Sequence, residues 1–581
     1  MRAQKIQLIC MPYQLAGLSS LSTALLATCL RERGIETVED YLHFPFADIL
    51  GGGLYGRIAE DSTAASRGEL LFARDLEGVQ RDDDFQRALE RDLGGAAGMR
   101  DKLDAFRAVC LDRVEAAGAG LVGFSTSCHQ LLPALWLARQ IKERWPRVRT
   151  VFGGASCTQP MGRRLFEAYP EIDYVVSGYG EQPLLDLARG ELGGGRRLIV
   201  NEQSPPMDEL PVPDYGPFLA QAAGFGRDRR NLMLAFETSR GCWWGQKCHC
   251  SFCGLNPFEV AYQAKSSDSA VAEIRTLWER HGLNLFATDT ILSYRHLREV
   301  MPRLAGFATK PSLFYEVKSN LRESDVRQLR EANVLWIQPG IESLSTPLLK
   351  QLRKGVTAIQ NLALLKWCRE QWIRVSWNLL CAIPGERQAD YEEEIDLMRR
   401  IPHLSPPYGV SPIRVDRFSP YFESPQAFGW SGLRPVPVYR ELHPRLSEAE
   451  LAELAYHFEA EGGALQPERY FPPLRAAVED WKRRHAAGEG LFWDEDQGLT
   501  RIAGQEVQVF EQGPALAAIL AATHEIIDLD ELAALPGVEP ALLEQLFAEG
   551  VLYREGRKAI NLAVRLPRSP GAATEELPEV H

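Results

Sequence analysis

Residues 1–203 alternate short apolar runs with longer amphipathic stretches, a pattern typical of a parallel α/β sheet. The apolar runs include KIQLICMP, GLVGFSTS, TVFGGAS and YVVSGYGE, and a helix is predicted over 21–33. The last three of these runs end in Gly and Ser. Because the carboxyl ends of strands in a doubly wound sheet open onto the ligand crevice, we predict a Rossmann-like domain with a small-molecule site there.

A second alternation begins after the proline-rich stretch 204–230, which we interpret as a linker. Six apolar runs follow, separated by helical segments: LMLAFETS, NLFATDT, SLFYEVKSN, VLWIQPGIES, RVSWNLLCAIPGE and PIRVDRFSPY. Six β/α units predict a partial (β/α)6 barrel over 231–435. Its functional groups should lie at the carboxyl ends of the strands.

The pattern over 436–568 is mainly helical and ends in a hairpin, three helices and a two-stranded wing, which indicates a winged-helix-like region. The segment EPALLEQLFAEG is acidic where a DNA-recognition helix would need basic residues. The winged helix could instead bind a peptide by strand addition at the wing or hairpin edge, or serve as a packing module. Residues 569–581 are predicted to be a disordered tail.

Composition narrows the class of protein. The chain has 581 residues, 45% of them hydrophobic, and a net charge of −13. This length predicts several domains, and the acidic balance argues against nucleic acid as a partner. Because no signal-peptide core and no apolar run long enough to span a bilayer occurs, we expect a cytoplasmic protein without a membrane partner.

Four of the eleven cysteines fall within twelve residues, directly after the first barrel strand. Cys242, Cys250 and Cys253 form a C-x7-C-x2-C spacing, and thiolates this close favour a soft metal or an iron–sulfur cluster. Three ligands on a four-iron cluster leave one iron open to chelation by S-adenosylmethionine (SAM). Cys248 could replace Cys250 or act as a fourth ligand, and His249 is a further candidate. A structural zinc knuckle is the alternative, although such sites usually pair two C-x2-C units.

These motifs resemble those of cobalamin-dependent radical SAM enzymes, and among them the RiPP maturation radical SAM protein 1 subfamily, which modifies ribosomally synthesised peptides. The stretch 241–256 carries the cysteine spacing with a Trp pair and the sequence CGLN. Further stretches that look like family signatures are KSNL (318–321), GIESLS (340–345), RKGVT (353–357), PGE (384–386) and RFSPYF (417–422).

The resemblance implies that Cys242, Cys250 and Cys253 bind the cluster and that Cys248 lies outside the ligand set. It also implies a set of SAM contacts near the strand ends: Phe252, Asp289, Glu316, Lys318, Glu342, Ser343 and Asn378. The family's F-x-D-D pattern appears here as Phe286 to Asp289 with Thr288 in place of the first acid. A polar residue at a strand end could equally support a neighbouring group by hydrogen bonding.

The N-terminal sheet resembles the cobalamin-binding domain of the same enzymes. The implied cobalamin contacts are Pro12, Ser19, Ser125, Thr126, Ser127, Gly153, Gly154, Ala155, Gly178, Gly180 and Glu181. The D-x-H-x-x-G motif is absent, so we expect no histidine ligand on the cobalt. A sheet that binds another nucleotide, or nothing, remains the alternative.

The resemblance therefore implies an enzyme with a 4Fe-4S cluster, SAM and cobalamin as cofactors. Its expected reaction is methylation of an unactivated carbon in a precursor peptide, with a flavodoxin or ferredoxin as electron donor. One alternative is peptide cyclisation or another redox change without methyl transfer. An alternative from a different class is a non-catalytic zinc-knuckle protein that binds a partner through its winged helix.

Overall fold

A computed structural model describes residues 4–60, 62–77, 98–127, 129–193, 195–256, 260–462, 467–494, 498–511 and 513–566. The predicted tail over 569–581 lies outside the described residues. None of the helices within these ranges combines the length and apolarity that a bilayer crossing requires.

Six short strands form the N-terminal sheet. They are β1 (Ile6–Cys10), β2 (Thr37–Tyr41), β3 (Leu121–Ser125), β4 (Arg149–Gly153), β5 (Tyr174–Gly178) and β6 (Arg197–Asn201). All neighbouring pairs are parallel, in the order β2-β1-β3-β4-β5-β6. The order reverses between β1 and β3, which places the ligand crevice of a doubly wound sheet beside the ends of these two strands.

The helices described around this sheet follow or precede its strands. They are Leu21–Glu32, His43–Leu50, Gly52–Glu60, Ser62–Glu77, Met99–Ala117, Leu131–Arg144, Met161–Ala168 and Glu181–Arg189. Two separate apolar clusters pack against its strands, one containing Ile9 and Val122 and the other containing Ile6 and Leu8. Since successive side chains of a strand point to opposite faces, both faces of the sheet are covered, as the doubly wound prediction requires.

The next nine strands belong to the second α/β unit. They are β7 (Met233–Phe236), β8 (Ser239–Arg240), β9 (Gln263–Ala264), β10 (Asn284–Ala287), β11 (Leu313–Val317), β12 (Val334–Pro339), β13 (Arg374–Val375), β14 (Leu379–Cys381) and β15 (Val410–Pro412). One parallel sheet has the order β13-β12-β11-β10-β7, and β14 pairs in parallel with β15. The fifth predicted strand is thus broken into β13 and β14. The sixth predicted strand, over 412–421, overlaps β15 only at Pro412, and its residues Val415 and Asp416 pair instead with a strand of the C-terminal region.

The helices of this unit are Trp243–Lys247, Ser267–His281, Tyr294–Glu299, Met301–Ala305, Glu323–Glu331, Thr346–Gln351, Ala358–Glu370 and Gln388–Arg400. Most follow a strand and precede the next one, which is the connectivity of a partial barrel. A parallel bridge from Glu342 to Leu379 joins the loop after β12 to β14.

The predicted linker over 204–230 is an ordered, packed segment rather than a loose connection. It contains the helix Gly216–Gly224, and Tyr215 and Phe218 are fully buried. The Gln221 side chain donates a hydrogen bond to the Glu39 carbonyl at 2.9 Å, next to the end of β2. These contacts place apolar residues of both α/β units in one continuous core, which restricts their relative movement.

The C-terminal region begins with the strands β16 (Val415–Asp416), β17 (Trp430–Pro435) and β18 (His457–Gly462) and the helices Pro420–Glu423, Val438–Leu442, Glu448–Leu454 and Pro467–Ala486. The three strands form one antiparallel sheet in the order β16-β18-β17. The predicted domain boundary at residue 435 therefore separates strands that pair with each other. Helix Glu448–Leu454 packs on the N-terminal domain, where Arg164 pairs with Glu453 at 2.6 Å.

The last described elements are β19 (Gly490–Asp494), β20 (Gly498–Ala503), β21 (Glu506–Val509), β22 (Ile527–Asp528), β23 (Leu552–Glu555), β24 (Lys558–Asn561) and β25 (Val564–Arg565), with helices Pro514–Ala522, Leu529–Ala533 and Pro540–Ala548. From residue 514 to 561 the order is helix, strand, helix, helix, strand, strand. The three strands form a sheet in the order β22-β24-β23. This is the arrangement expected of a winged helix.

Candidate functional site

The three predicted ligand cysteines lie in one loop that follows β7. Cys242 is the N-cap of the helix Trp243–Lys247, and its sulfur accepts a hydrogen bond from the Gly245 amide at 3.2 Å. Cys250 and Cys253 lie on a turn that is closed by the Cys253 amide and the Cys250 carbonyl. Burial, with support from the neighbouring Cys250 and Cys242, raises the pKa of Cys253 to about 12. Cys250 and Cys253 therefore lie close together in a poorly hydrated place, with Cys242 nearby in the same loop.

Such a set of thiols fits a metal cluster, because a bound metal deprotonates a coordinating thiol and compensates the buried charge. In the described part of the chain, no three Cys, His, Asp or Glu side chains converge as a single ion would require. A tetrahedral zinc site would need ligands that all reach one ion. A four-iron cluster makes no such demand, since each thiolate binds a different iron.

Cys248 lies in the same loop, in a more exposed position than Cys250. The sulfurs of Cys248 and Cys250 are both 4.0 Å from the Arg353 carbonyl oxygen. The two side chains therefore approach the same carbonyl, and the exclusion of Cys248 from the ligand set stays a prediction. His249 has a buried Nε2 without a hydrogen-bond partner among the described residues.

The predicted RKGVT signature forms a tight turn against the cysteine loop. Arg353 and Gly355 both have positive φ, at 55° and 64°. A Cβ added to Gly355 would overlap the ring of Trp244, so only glycine permits this approach. Trp244 Nε1 donates to the Arg353 carbonyl at 3.2 Å, and the Lys318 ammonium lies 3.8 Å from the centre of the Trp244 ring. The turn therefore fixes the indole and the lysine next to the cysteines.

Charged side chains gather at the carboxyl ends of β11 and β12. Lys354 Nζ lies 2.8 Å from Glu342 Oε2, and Glu342 and Cys250 raise the pKa of Lys354 above its usual value although burial opposes this. Burial and the nearby Glu342 raise the pKa of Glu316 to about 7. Within the described residues, the Glu316 carboxyl has no hydrogen-bond or ion-pair partner. Sequence reasoning missed Lys354, although it lies inside the quoted RKGVT motif.

Two predicted SAM contacts are buried and hydrogen-bonded within the protein. Asp289 is 1% exposed, and its oxygens accept hydrogen bonds from the Thr238 amide at 2.7 Å and the Ser239 hydroxyl at 2.6 Å. Ser343 is fully buried and donates to Glu394. Direct contact of Asp289 and Ser343 with SAM stays a prediction, and SAM would have to compete with these internal partners. Asn378, by contrast, is exposed between β13 and β14.

A cavity of about 640 Å³ lies between the two α/β units. All but one of the predicted cobalamin contacts line it, namely Ser19, Ser125, Thr126, Ser127, Gly153, Gly154, Ala155, Gly178, Gly180 and Glu181. Pro12 is the exception. The barrel side contributes Glu237, Ser239, Arg240, Gly241, Leu255, Asn256, Thr288 and Thr290. The site is thus built jointly, with the loop that precedes the cluster cysteines as part of its wall.

The N-terminal wall of this cavity suits a large ligand that must approach the backbone. Gly154 has a φ of 91°, and a Cβ there would lie 2.5 Å from the Thr126 carbonyl oxygen. Glu181 Oε2 is buried and has no hydrogen-bond partner among the described residues. An amide N–H of a corrin side chain could satisfy that acceptor, so these residues fit cobalamin.

Arg240 joins the two walls. Its guanidinium donates to Glu181 of the N-terminal domain at 2.9 Å and to Glu237 at 2.7 Å. It also lies 5.4 Å from the centre of the Tyr179 ring. Sequence reasoning missed this residue, since the pairing of an arginine in the S-R-G-C stretch with a distant glutamate is visible only in the fold.

Comparisons with known proteins agree with this architecture. The radical SAM superfamily matches residues 236–398, and the B12-binding domain family matches residues 103–188. An uncharacterised methyltransferase of Pyrococcus horikoshii is 23% identical over 308 residues, which are 48% of this chain and 64% of that protein. A putative methylthiotransferase of Methanocaldococcus jannaschii is 22% identical over 250 residues, 38% of this chain and 53% of that protein. The matched regions thus span less than two thirds of both relatives.

Among solved structures, TsrM of Kitasatospora setae, a radical SAM methyltransferase with cobalamin and a 4Fe-4S cluster bound, superposes with a TM-score of 0.54. The sequences are 18% identical, and the match covers 82% of this chain and 91% of TsrM. At this identity the likeness concerns the fold, and it confirms the predicted succession of α/β domains. The chain combines a B12-binding domain with a radical SAM domain, which imply cobalamin, a 4Fe-4S cluster and SAM as its cofactors.

Proposed function

We propose that this protein is a cobalamin-dependent radical SAM enzyme that methylates an unactivated carbon in a ribosomally synthesised peptide. The observation that carries the proposal is the cavity lined by both domains, because it lets one substrate carbon face both cofactor sites. The methyltransferase names of TsrM and of the Pyrococcus relative support the same reaction class.

When bound, the cluster would supply the electron that cleaves SAM, and cobalamin would supply the methyl group. Cys242, Cys250 and Cys253 would hold the cluster. Glu316 would receive the α-ammonium group of SAM; its carboxyl has no partner among the described residues and is electrostatically coupled to the Glu342–Lys354 pair, which supports this role. The protein's own contribution is to orient these groups and exclude water from the reacting carbon.

The reaction is tested by incubating the reconstituted protein anaerobically with SAM, a reductant and its candidate precursor peptide, followed by mass spectrometry of the peptide. Methylation adds about 14 mass units, the weight of one CH2, whereas cyclisation removes about 2 and methylthiolation adds about 46. Formation of 5′-deoxyadenosine with an unmodified peptide would contradict that choice of substrate. A one-electron donor such as a flavodoxin or ferredoxin is the expected physiological reductant.

The zinc-binding alternative makes a different prediction for the purified protein. Anaerobic reconstitution with iron and sulfide should produce a broad absorbance near about 400 nm, and cobalamin should remain bound after gel filtration. A protein that retains zinc on Cys242, Cys250 and Cys253 and takes up no iron would contradict the proposed enzyme.

The peptide partner is proposed to add as a strand to β21. This strand is at the edge of its sheet, in the order β21-β20-β19-β25. Its four residues are all exposed, and Val507 and Val509 are 63% and 64% exposed on the same side of the strand. An exposed edge offers unpaired backbone groups to an extended peptide, and the valines offer apolar contacts.

Replacing both valines by lysine tests this partner. Val507→Lys with Val509→Lys should weaken precursor-peptide binding about tenfold, measured by fluorescence anisotropy, while SAM cleavage without peptide stays unchanged. Val200→Lys is the matched control, because Val200 is a 50% exposed valine on β6, the edge of a different sheet. Equal losses in the double variant and the control would contradict the assignment to β21.

A further inference from the structure

A second cavity of about 290 Å³ lies at the opposite end of the barrel strands from the cysteines. It is bounded by the end of helix Ala358–Glu370, the start of β13, the segment before β15 and the end of helix Pro467–Ala486. Its polar and aromatic lining consists of Arg369, Trp372, Arg374, Ser405, Tyr408 and His485. It shares no lining residue with the cavity between the domains.

Two guanidinium groups in this cavity have no carboxylate within ion-pair distance among the described residues. Arg369 is half-buried, and burial lowers its pKa. Arg374 donates to the Tyr408 hydroxyl at 2.8 Å instead of to an acid. The adjacent Glu370 is already engaged by the Arg565 amide at 2.9 Å. The chain has 78 acidic residues against 65 Lys and Arg, yet its described part brings no carboxylate to either arginine, which indicates that an anion belongs in this cavity.

Trp372, an aromatic residue of this cavity, has a strained backbone conformation and an exposed side chain. Trp372 has a φ of 55°, directly beyond the end of helix Ala358–Glu370, where glycine is the favoured residue. The side chain is nevertheless a tryptophan that is 46% exposed, and Tyr408 nearby is 55% exposed. The Arg369 guanidinium lies over this ring, 5.9 Å from its centre, so the arginine and the indole line the same cavity together. Strain of this kind is retained where a side chain is held for a ligand.

We propose that this cavity binds a small anion that carries a flat aromatic ring, either an aryl phosphate or an aryl carboxylate. Arg369 and Arg374 hold the anionic group, because guanidinium groups match carboxylate and phosphate geometry. The ring of the ligand packs against Trp372, with Tyr408 at the rim. The assignment is independent of the proposed methylation, since it uses none of the residues of the cofactor cavity.

Calorimetric titration of the full chain tests the ligand class with four probes. Phenyl phosphate or benzoate should bind saturably at one site. Comparison of their two affinities shows whether the site prefers an aryl phosphate or an aryl carboxylate. Inorganic phosphate lacks the ring and phenol lacks the charge, so each should bind at least about tenfold more weakly than the better aryl anion. No saturable binding of either aryl anion at millimolar concentration would overturn the proposal.

Two variants locate the site. Arg369→Gln should weaken the better probe about tenfold or more, whereas Arg230→Gln, at an 89% exposed arginine elsewhere, should not change it. Trp372→Gly should also weaken binding, while the midpoint of thermal unfolding stays the same or rises because glycine relieves the positive φ. A lower midpoint with unchanged binding would assign Trp372 to packing and overturn the proposal. Equal affinity in wild type and both site variants would overturn it too.

Discussion

The two α/β units differ in the chemistry at the carboxyl ends of their strands. The strands of the N-terminal sheet end in small, mostly neutral residues such as Ser125, Gly153 and Gly178, which we call the neutral wall. The barrel strands are followed by charged residues such as Glu316, Glu342 and Lys354, which we call the charged wall. Small residues let a bulky cofactor approach the backbone, and charges hold a small zwitterion by its amino acid end. We therefore expect a substitution in one wall to weaken binding of one ligand and to leave binding of the other unchanged.

The strongest test removes a cysteine. Cys250→Ala should abolish cluster assembly and SAM cleavage, because each of the three thiolates binds one iron and only two would remain to hold the cluster. Iron content and the absorbance near about 400 nm measure the loss, and cobalamin binding should persist. Cys248→Ala is the matched control, since its sulfur lies equally close to the Arg353 carbonyl. If Cys248→Ala lost as much iron as Cys250→Ala, Cys248 would belong to the ligand set.

The next test removes the buried ammonium group. Lys354→Met leaves Glu342 without its ion-pair partner at 2.8 Å, so SAM should bind about 10- to 100-fold more weakly. Calorimetry on the reconstituted protein measures this affinity. Lys350→Met, at an exposed lysine of the same region, should leave it unchanged. If Lys354→Met also lowered the affinity for cobalamin by a similar factor, the two walls would not act separately.

The neutral wall is tested by adding one methyl group. Gly154→Ala forces a Cβ to within 2.5 Å of the Thr126 carbonyl oxygen at a φ of 91°, so cobalamin affinity should fall about tenfold while iron content stays normal. Gly53→Ala is the control, because nothing lies within 4 Å of a Cβ there. Spectrophotometric titration with hydroxocobalamin distinguishes the two variants. Loss of iron in Gly154→Ala would indicate general misfolding instead.

The pattern of apolar runs predicted the alternation of strands and helices in both α/β units, but it missed the short strands β2, β6 and β9. The Gly- and Ser-rich ends of β3, β4 and β5 were recognised from the sequence, and they line the cavity between the units. The linker over 204–230 was inferred from its prolines, and the burial of Tyr215 and Phe218 within it was not, because that burial depends on surfaces supplied by both domains.

The contacts of individual site residues could not be predicted from the sequence. Asp289 was expected to face the ligand, yet the neighbouring Thr238 and Ser239 occupy its oxygens. Lys354 and Arg240 were missed because their partners, Glu342 and Glu181, are brought to them only by the folded chain. A motif gives the type of a residue at a strand end, but which atom points into the cavity depends on side chains from other elements.

The smallest expected effect concerns the pH dependence of the charged wall. Burial, with Glu342 nearby, raises the pKa of Glu316 to about 7. Below that pH the carboxyl is protonated and cannot pair with an ammonium group, and above it the carboxylate can. SAM affinity should therefore rise between about pH 6 and pH 8, by at most about tenfold per pH unit.

Calorimetric titrations with SAM at several pH values measure this slope. Glu316→Gln should flatten it, because an amide does not titrate in this range, whereas Glu331→Gln, at an exposed glutamate on a nearby helix, should leave it as in wild type. A slope that persists in Glu316→Gln would place the titrating group elsewhere, on the neutral wall or on the ligand. In that case Glu316 would have no part in binding the amino acid end of SAM. Recognition of that end by the charged wall would then depend on Lys354 and Glu342 alone.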